Sequence, residues 1–523
     1  MVSAQKVTVN FLVDKKKKRV VLAEAYSDFV DILFSFLTLP LGTIIRLLNK
    51  KSNIGCMDKL YESVENLDVH NFQTEACKTM LLFPQSAAAE QCEELKVNID
   101  STKPKPRNVY ICQNPKCCAK DTCLASSVPN SRCPHCQETM ESVRIWPKKG
   151  GYAGRLFVES GSKFIISDDL HITPVVSVEH SQLLIQSMGV ESACILEQKS
   201  MNIGRDEILT LLKRLLVSNS PLTDLFFKNV CAAHDVSSRF DIKSVIQVKR
   251  EVKREVNTEV KSNEIPIKLF MNKASKGVSF VEAGEEFVNF LFSFLTLPLG
   301  SLVMLQNKMS GLRCVDSLYQ SAESFTLDLF KSVECKNILL SPKLGPFFGY
   351  ANSMLKMDEI RPRTSFIRGC YSCYCRNNQT QCTASKCVHG VGTAIFEQLN
   401  PKSPEGGTER GGGYAKGKFL VTADLCVSPL STISSIQMMK SLNLSFGDLV
   451  MKTAVLGEIE VLDLLRSAVT SKTLFDDGFT SQKQKGRKNS YLTKESCHLS
   501  IMLSFIFIAV SLVVSLQRCK ETL

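Results

Sequence analysis

The segment CQNPKCCAKDTCLASSVPNSRCPHC, Cys112–Cys136, holds the sharpest chemistry in the chain. Cys133-Pro-His-Cys136 is a knuckle: two thiols two residues apart, with a proline that favours the turn. Cys112 and Cys117 form a looser pair with four residues between them, and fifteen residues separate Cys117 from Cys133. Two such pairs joined by a short hairpin offer four soft ligands in a tetrahedron, the geometry zinc takes. Cys112, Cys117, Cys133 and Cys136 are therefore the expected metal ligands. Cys118 is an alternative to Cys117, and His135 and Cys123 are reserve ligands. Four thiolates leave no open position for water, so the expected zinc is structural rather than catalytic. Reduced thiols without metal, and redox chemistry, are the competing readings.

A second cluster, CYSCYCRNNQTQCTASKCVHG, offers Cys370, Cys373, Cys375, Cys382, Cys387 and His389 within 370–389. It lacks the CPHC knuckle, and no single ligand set stands out. No secretory signal is expected at the N-terminus, because Asn10 interrupts the first apolar run and KKKKR follows it. The expected compartment is reducing, where the 21 cysteines are thiols or metal ligands rather than disulfides.

The elements that must position these residues occur twice. LFSFLTLPLG stands at Leu33–Gly42 and again at Leu291–Gly300, 258 positions later. The repeat continues on both sides of it. CMDKLYESVENL (Cys56–Leu67) pairs with CVDSLYQSAESF (Cys314–Phe325), and SKFIISDDLHITP (Ser162–Pro174) with GKFLVTADLCVSP (Gly417–Pro429). Each copy runs to roughly 220 residues, and a repeat this long indicates tandem domains, not a solenoid. The copies span 6–228 and 265–479, with a charged linker at 241–263 that alternates Val or Ile with charge.

Within a copy, KVTVNFLVD and RVVLAEA alternate apolar and polar residues, which predicts an N-terminal β-hairpin with KKKK as its turn. Phe29, Ile32, Leu33 and Phe36 follow helical spacing, with Asp28 as the expected cap and Pro40 and Gly42 as the stop. Met57, Leu60, Tyr61, Val64 and Leu67 mark a second helix, KFIISDDL a strand, and Ile208, Leu211, Leu212 and Leu215 a final helix. The expected class is α+β: two homologous tandem domains, each with a hairpin, helices and a cysteine-rich insert. The decapeptide has one Ser, one Thr and no acid or base, so it reads as a packing seam, with a partner-binding groove as the alternative.

The hairpin, LFSFLTLPLG, C-[MV]-D-x-LY-x-S, the cysteine cluster and the late K-F-[IL]-[IV]-[ST]-x-D-L stretch together resemble the plant "domain of unknown function 674" family. The resemblance covers both copies. It implies a domain that members often carry in tandem, and it implies no activity.

No shared catalytic constellation is visible, so no enzyme is expected. His171 aligns with Cys426, so no histidine is shared there. The shared pairs Asp169/Asp424, Asp58/Asp316, Cys56/Cys314 and Cys77/Cys335 each have a structural reading as turn, cap or buried thiol. A nucleophilic cysteine would need a base, and none is shared. GGGYAKGK (Gly411–Lys418) lacks the spacing of a phosphate-binding loop. The leading expectation is a non-enzymatic interaction protein with an unidentified protein partner. The alternatives are a zinc-dependent nucleic-acid-binding protein, on the basic runs KKKKR, STKPKPR and WPKKG, and a cysteine-dependent enzyme. The net charge of +12 permits acidic partners without specifying one. Leu499–Leu516 is apolar and uncharged, and as a helix would be about 27 Å long. It is the expected C-terminal membrane anchor, which would leave both domains on the cytosolic face. Without an anchor the expected location is cytoplasmic or nuclear.

Overall fold

The structure, a computed structural model, describes residues 5–100, 105, 107–112, 114, 117, 122–145, 156–190, 192–227, 264–275, 277–350, 353–369 and 392–474. The linker at 241–263, the second cysteine cluster at 370–389 and the apolar stretch Leu499–Leu516 lie outside the described residues. Among the described residues no helix is long and apolar enough to cross a membrane.

The first half opens with the hairpin β1 (Val7–Asp14) and β2 (Arg19–Tyr26). Helices α1 (Ser27–Ser35), α2 (Leu41–Leu47), α3 (Met57–Asn66), α4 (Glu75–Leu82) and the short α5 (Ala89–Cys92) follow. Three short strands, β3 (Asn108–Ile111), β4 (Thr122–Ser126) and β5 (Ser142–Ile145), carry the cysteine insert. The half closes with β6 (Lys163–Ser167), β7 (Ile172–Pro174), α6 (Val178–Ser187), β8 (Leu196–Ile203), α7 (Arg205–Val217) and α8 (Pro221–Phe226).

The second half repeats the order. It runs through β9 (Ile265–Asn272), β10 (Val278–Gly284), α9 (Glu285–Thr296), α10 (Leu299–Leu305), α11 (Arg313–Ser324) and α12 (Val333–Leu340). Then come β11 (Thr364–Gly369), β12 (Gly392–Gln398), β13 (Lys418–Thr422), β14 (Val427–Pro429), α13 (Thr432–Ser441), β15 (Leu449–Leu456) and α14 (Glu458–Thr470). The protein is mixed α+β. Each half builds one antiparallel five-stranded sheet, β7-β6-β2-β1-β8 and β14-β13-β10-β9-β15. A third sheet, β11-β12-β4-β3-β5, takes strands from both halves, joined by parallel pairing of β12 with β4.

The hairpins form where alternation predicts them. Asp14 is buried at the turn, and its Oδ1 accepts from the backbone N–H of Lys16 and Lys17, so the four lysines stand exposed in the turn. Asp28 is not the helix cap. The helix begins at Ser27, Asp28 falls inside its first turn, and its carboxylate pairs with Lys96 at 2.9 Å. Pro40 ends one helix as expected, but Gly42 does not stop the chain; it sits in the first turn of α2.

The repeated decapeptide meets its own copy. A residue before proline is driven out of the helical region, and Leu39 and Leu297 are extended (φ −76°, ψ 128° and φ −69°, ψ 127°). Their carbonyls then point at the opposite half: Leu41 N–H donates to Leu297 O and Leu299 N–H to Leu39 O, both at 2.9 Å. The contact is isologous, as at a two-fold axis within one chain. The decapeptide's Ser and Thr work locally. Ser35 and Thr38 donate to Ile32 O and Ser35 O, and Ser293 and Thr296 donate likewise to Phe290 O and Ser293 O, so the broken helix ends keep their partners.

The same reciprocity runs outward from this seam. Phe34 stacks on Phe330 at 6.4 Å and Phe72 on Phe292 at 6.2 Å between ring centroids. Gln73 N–H donates to Tyr414 O and Lys331 N–H to Phe157 O. The C-x-D-x-L-Y-x-S motif is spent on the same contact. The Cys56 and Cys314 thiols donate to Ser471 O and Ser218 O, while Ser63 and Ser321 accept from the N–H of Val427 and Ile172. Tyr61 and Tyr319 donate to Leu82 O and Leu340 O. Asp58 and Asp316 accept from Ser52 and Ser310. One hydrophobic cluster spans both halves, and the described residues fall in one compact unit.

The seam leaves little room for a methyl group. A Cβ on Gly42 would lie 3.0 Å from Leu295 O, and one on Gly300 would lie 3.0 Å from Leu339 O and 3.1 Å from Leu37 O. Gly42→Ala and Gly300→Ala are each expected to destabilise the protein by about 1–3 kcal/mol in urea unfolding. Gly284→Ala, where nothing lies within 4 Å, should change little and serves as the control.

Asp31 and Asn289 hold equivalent places. Asp31 Oδ1 accepts from the N–H of Phe157 and Val158, and Asn289 Oδ1 accepts from Tyr414 and Ala415. Burial pushes the Asp31 carboxyl from its ordinary 3.8 up to about 7, against the pull of the Val158 N–H and Lys331. A raised carboxyl pKa means the fold prefers the protonated acid. Its contribution is fully present below about pH 4 and is lost as pH rises through 7, a swing of roughly 4 kcal/mol at most. Asp31→Asn should keep the two N–H bonds and be more stable than the parent at pH 8. Relative to the parent, it should lose the decline between pH 4 and 7, as read by denaturant midpoints across that range.

Candidate metal centre

The cysteine insert hangs on the shared third sheet. Cys112 follows directly on β3, and Cys117 sits in a turn closed by its own N–H to Asn114 O at 3.1 Å. Beyond β4 the chain turns through Ser126 and Ser131, whose hydroxyls lie 2.7 Å apart and both reach Val128 O. The knuckle then closes on itself. Cys133 N–H donates to Glu138 O and Gln137 N–H to Cys133 O, both at 2.8 Å, with Gln137 left-handed at φ 60°. Arg132 pairs with Thr139, which makes the knuckle the tip of a narrow hairpin.

The four sulfurs of Cys112, Cys117, Cys133 and Cys136 all lie within 4.8 Å of one another. Cys112 Sγ and Cys136 Sγ are 3.5 Å apart, and all four residues are free thiols. A tetrahedron with bonds of about 2.3 Å has edges of about 3.8 Å, so the quartet is the right size for one ion. Cys112 and Cys133 are buried, and Cys117 and Cys136 are half-buried. His135 is exposed and outside the quartet. Cys118 and the side chain of Cys123 lie outside the described residues.

Electrostatics set out what an ion would have to supply here. Burial first, and then the adjoining sulfurs, push the Cys112 thiol up and Cys117 up to about 12. Burial also works against a Cys136 thiolate, but the Glu138 N–H and the three neighbouring thiols together bring it down. Four thiolates cannot coexist at this spacing without a positive charge among them, and a metal ion supplies it. The quartet could thus hold a metal.

The second half supplies the seat. Leu399 packs into the small core of Cys112, Cys133 and Met140, and Leu399 N–H donates to Ala125 O at 2.8 Å. Gln398 Nε2 donates to Ser127 Oγ at 2.8 Å. Pro134 of the knuckle lies against Gly406, which has φ +73°.

The model of a family described as "Protein of unknown function (DUF674)" matches residues 3–459. The chain belongs to this DUF674 family. No curated protein and no solved structure matches it. The family resemblance read from the motifs therefore holds at the level of the family, and the match to this DUF674 chain is one span running from the first half to the start of α14.

The acidic residues shared between the halves have local partners, and the unshared His171 reaches across the seam. Asp169 and Asp424 accept from Ser167 and Thr422, and His171 Nδ1 lies 3.3 Å from Ser321 Oγ. Burial pushes the thiols of Cys77 and Cys314 up, Cys314 to about 12. One buried polar knot has no sequence signature. Lys402 is 1% exposed, donates through Nζ to Gly349 O and lies 4.8 Å from the Tyr414 ring centroid. Burial brings its ammonium down to about 8. Only its fully buried setting marks it, and that setting comes from segments remote in sequence.

A Cβ on Gly406 would lie 2.1 Å from Pro134 Cβ, at a backbone angle that side chains disfavour. Gly406→Val should therefore lift the knuckle from its seat. Alkylation followed by mass spectrometry should show faster labelling of Cys133 in the metal-free variant than in the metal-free parent. Gly447→Ala, with open space around it, should label like the parent.

Proposed function

We propose that this protein is a non-enzymatic interaction scaffold made of two duplicated halves, the first pinned by a structural zinc ion. The observation that carries the reading is the sulfur quartet, closed on itself and seated against the other half. Cys112, Cys117, Cys133 and Cys136 are the four ligands. When bound, the ion supplies the positive charge that lets all four sulfurs ionise. With four protein ligands it has no vacant position for a substrate. The ion would thus fasten the shared third sheet and, through Leu399 and Gly406, hold the insert to the second half.

The non-enzymatic part of the proposal is supported by the roles of the paired residues. The shared cysteines donate their thiol protons to carbonyls or sit buried with raised pKa values, the opposite of an activated nucleophile. The partner in this reading is another protein. The lysine turn offers little support for nucleic-acid binding, since Lys15 is already paired with Glu197 at 2.7 Å. Leu499–Leu516 is proposed as a C-terminal membrane anchor on its length and lack of charge, placing the halves on the cytosolic face.

Metal analysis of the reduced, purified full chain tests the zinc. The Cys133→Ser/Cys136→Ser variant should contain about one zinc per chain less than the parent. Chelation should lower the parent's Tm and not the variant's by the same amount. Acidification should release the ion, because protons compete for the thiolates. Equal zinc in parent and variant would refute the site. Carbonate washing of membranes tests the anchor: the full chain should resist it, and a chain ending before Leu499 should not.

A further inference from the structure

The two private sheets end in edge strands at the same place in the repeat, β8 in the first half and β15 in the second, and among the described residues no further strand pairs beyond either. An open edge presents unpaired backbone N–H and C=O groups, and folded proteins commonly blunt it with charge. The first half does so. Glu197 of β8 pairs with Lys199 at 2.9 Å and with Lys15 at 2.7 Å. On the outer face of the sheet, Thr8 donates to Asn202 at 2.8 Å and Ser200 to Asn10 at 2.6 Å.

The second half does not. β15 reads LVMKTAVL, with Lys452 as its one charge. In place of the two polar pairs stand Pro266 opposite Val455 and Lys268 opposite Thr453, and Phe270 stands opposite Met451. Met451 is 56% exposed and Val455 48%, and Phe446, just ahead of the strand, is 77% exposed. The same backbone position is thus polar and ion-paired in one half and apolar in the other.

The ladder settles which backbone groups face the open side. Lys273 N–H donates to Asp448 O at 2.8 Å, one step past the pair Asn272–Leu449. Bonded and non-bonded pairs alternate along an antiparallel ladder. Val450, Lys452 and Ala454 therefore bond to β9, while Met451, Thr453 and Val455 turn their N–H and C=O groups outward. Their side chains lie on the outer face, since the β9 residues opposite Val450, Lys452 and Ala454 are the buried Met271, Leu269 and Ile267.

A strand added here must set its own free groups against Met451, Thr453 and Val455. A second β15 does this when the two run antiparallel about a two-fold axis through Thr453. Thr453 then stands opposite its own copy, Met451 opposite Val455, and Lys452 opposite Ala454. Threonine pairs and apolar pairs stabilise such a ladder, and no cation faces another. Outer face stays with outer face, because residues two apart share a side. An axis through Lys452 would set lysine against lysine and use groups already bonded to β9. An axis through Met451 would leave the end of the strand unpaired.

We infer that the protein forms a two-fold dimer through β15, the second-half sheets of two copies joining into one continuous sheet. The contact is isologous, as the seam within one chain is. Sedimentation of the full chain in mild detergent, over a concentration series, measures it. The expected result is a monomer–dimer equilibrium in the micromolar range. Thr453→Pro removes an N–H that β9 does not use, which an edge strand tolerates, and should weaken the dimer about tenfold or more. Met451→Lys should do the same, whether or not Thr453→Pro folds. The double variant Met451→Lys/Val455→Glu sets opposite charges across the axis and should restore the dimer. Gln198→Lys, at the equivalent place on β8, should leave association unchanged. A monomer throughout the series would overturn the inference. So would a dimer untouched by Met451→Lys, a double variant no tighter than Met451→Lys alone, or equal weakening by Gln198→Lys.

Discussion

Two backbone hydrogen bonds, Leu41 to Leu297 and Leu299 to Leu39, fix the geometry on which the other contacts between the halves depend. They exist because each decapeptide places a proline after a leucine. The proline forces that leucine to be extended, which turns its carbonyl out of the helix. In a buried place the carbonyl must find a donor, and the donor is the same segment of the other half. Glycine at the next step lets the two backbones come close enough. The seam is buried on all sides, so a substitution in one decapeptide is felt in both halves.

From that contact the remaining reciprocity follows. Once the two α helices of the seam are fixed, α3 and α11 face the other half, and their Cys and Ser reach backbone groups there. The outer sheets remain private to each half, whereas the third sheet is shared and carries the sulfur quartet. The halves are alike at the seam and different at its margins. Asp31 stands where the other half has Asn289, and Glu90 where it has Phe348. A pair of equivalent sites in which one has lost its charge or its ring is where one chain can carry a property that an exact dimer could not.

Much of this was legible in the sequence, and the reason is locality. Alternation in VTVNFLVD and helical spacing in the Phe29–Phe36 stretch report which face each residue buries, and the elements formed there. The cysteine quartet was legible because a metal knuckle is a short-range motif. What stayed hidden is what depends on partners far away in the chain. The proline-directed carbonyls of Leu39 and Leu297 have partners 260 and 256 residues off, so the decapeptide read as a seam without showing what it faces. Parallel pairing of β12 with β4, the seat of Pro134 on Gly406 and the burial of Lys402 likewise have no local pattern. Asp28 was misread as a cap because Asp is a common capping residue, while the strand runs on to Tyr26 and the helix starts at once.

The claim that the two halves fold as one unit through this seam is tested most directly by native-state hydrogen exchange of the intact chain. Exchange is followed by mass spectrometry at rising denaturant on peptides covering Phe36–Leu47 and Phe294–Leu305. If the reciprocal bonds hold the fold together, both peptides exchange only through the global opening, with the same free energy and the same denaturant dependence. Two distinct openings, with one peptide exchanging while the other stays protected, would show that each half is stable without the other and would contradict the account.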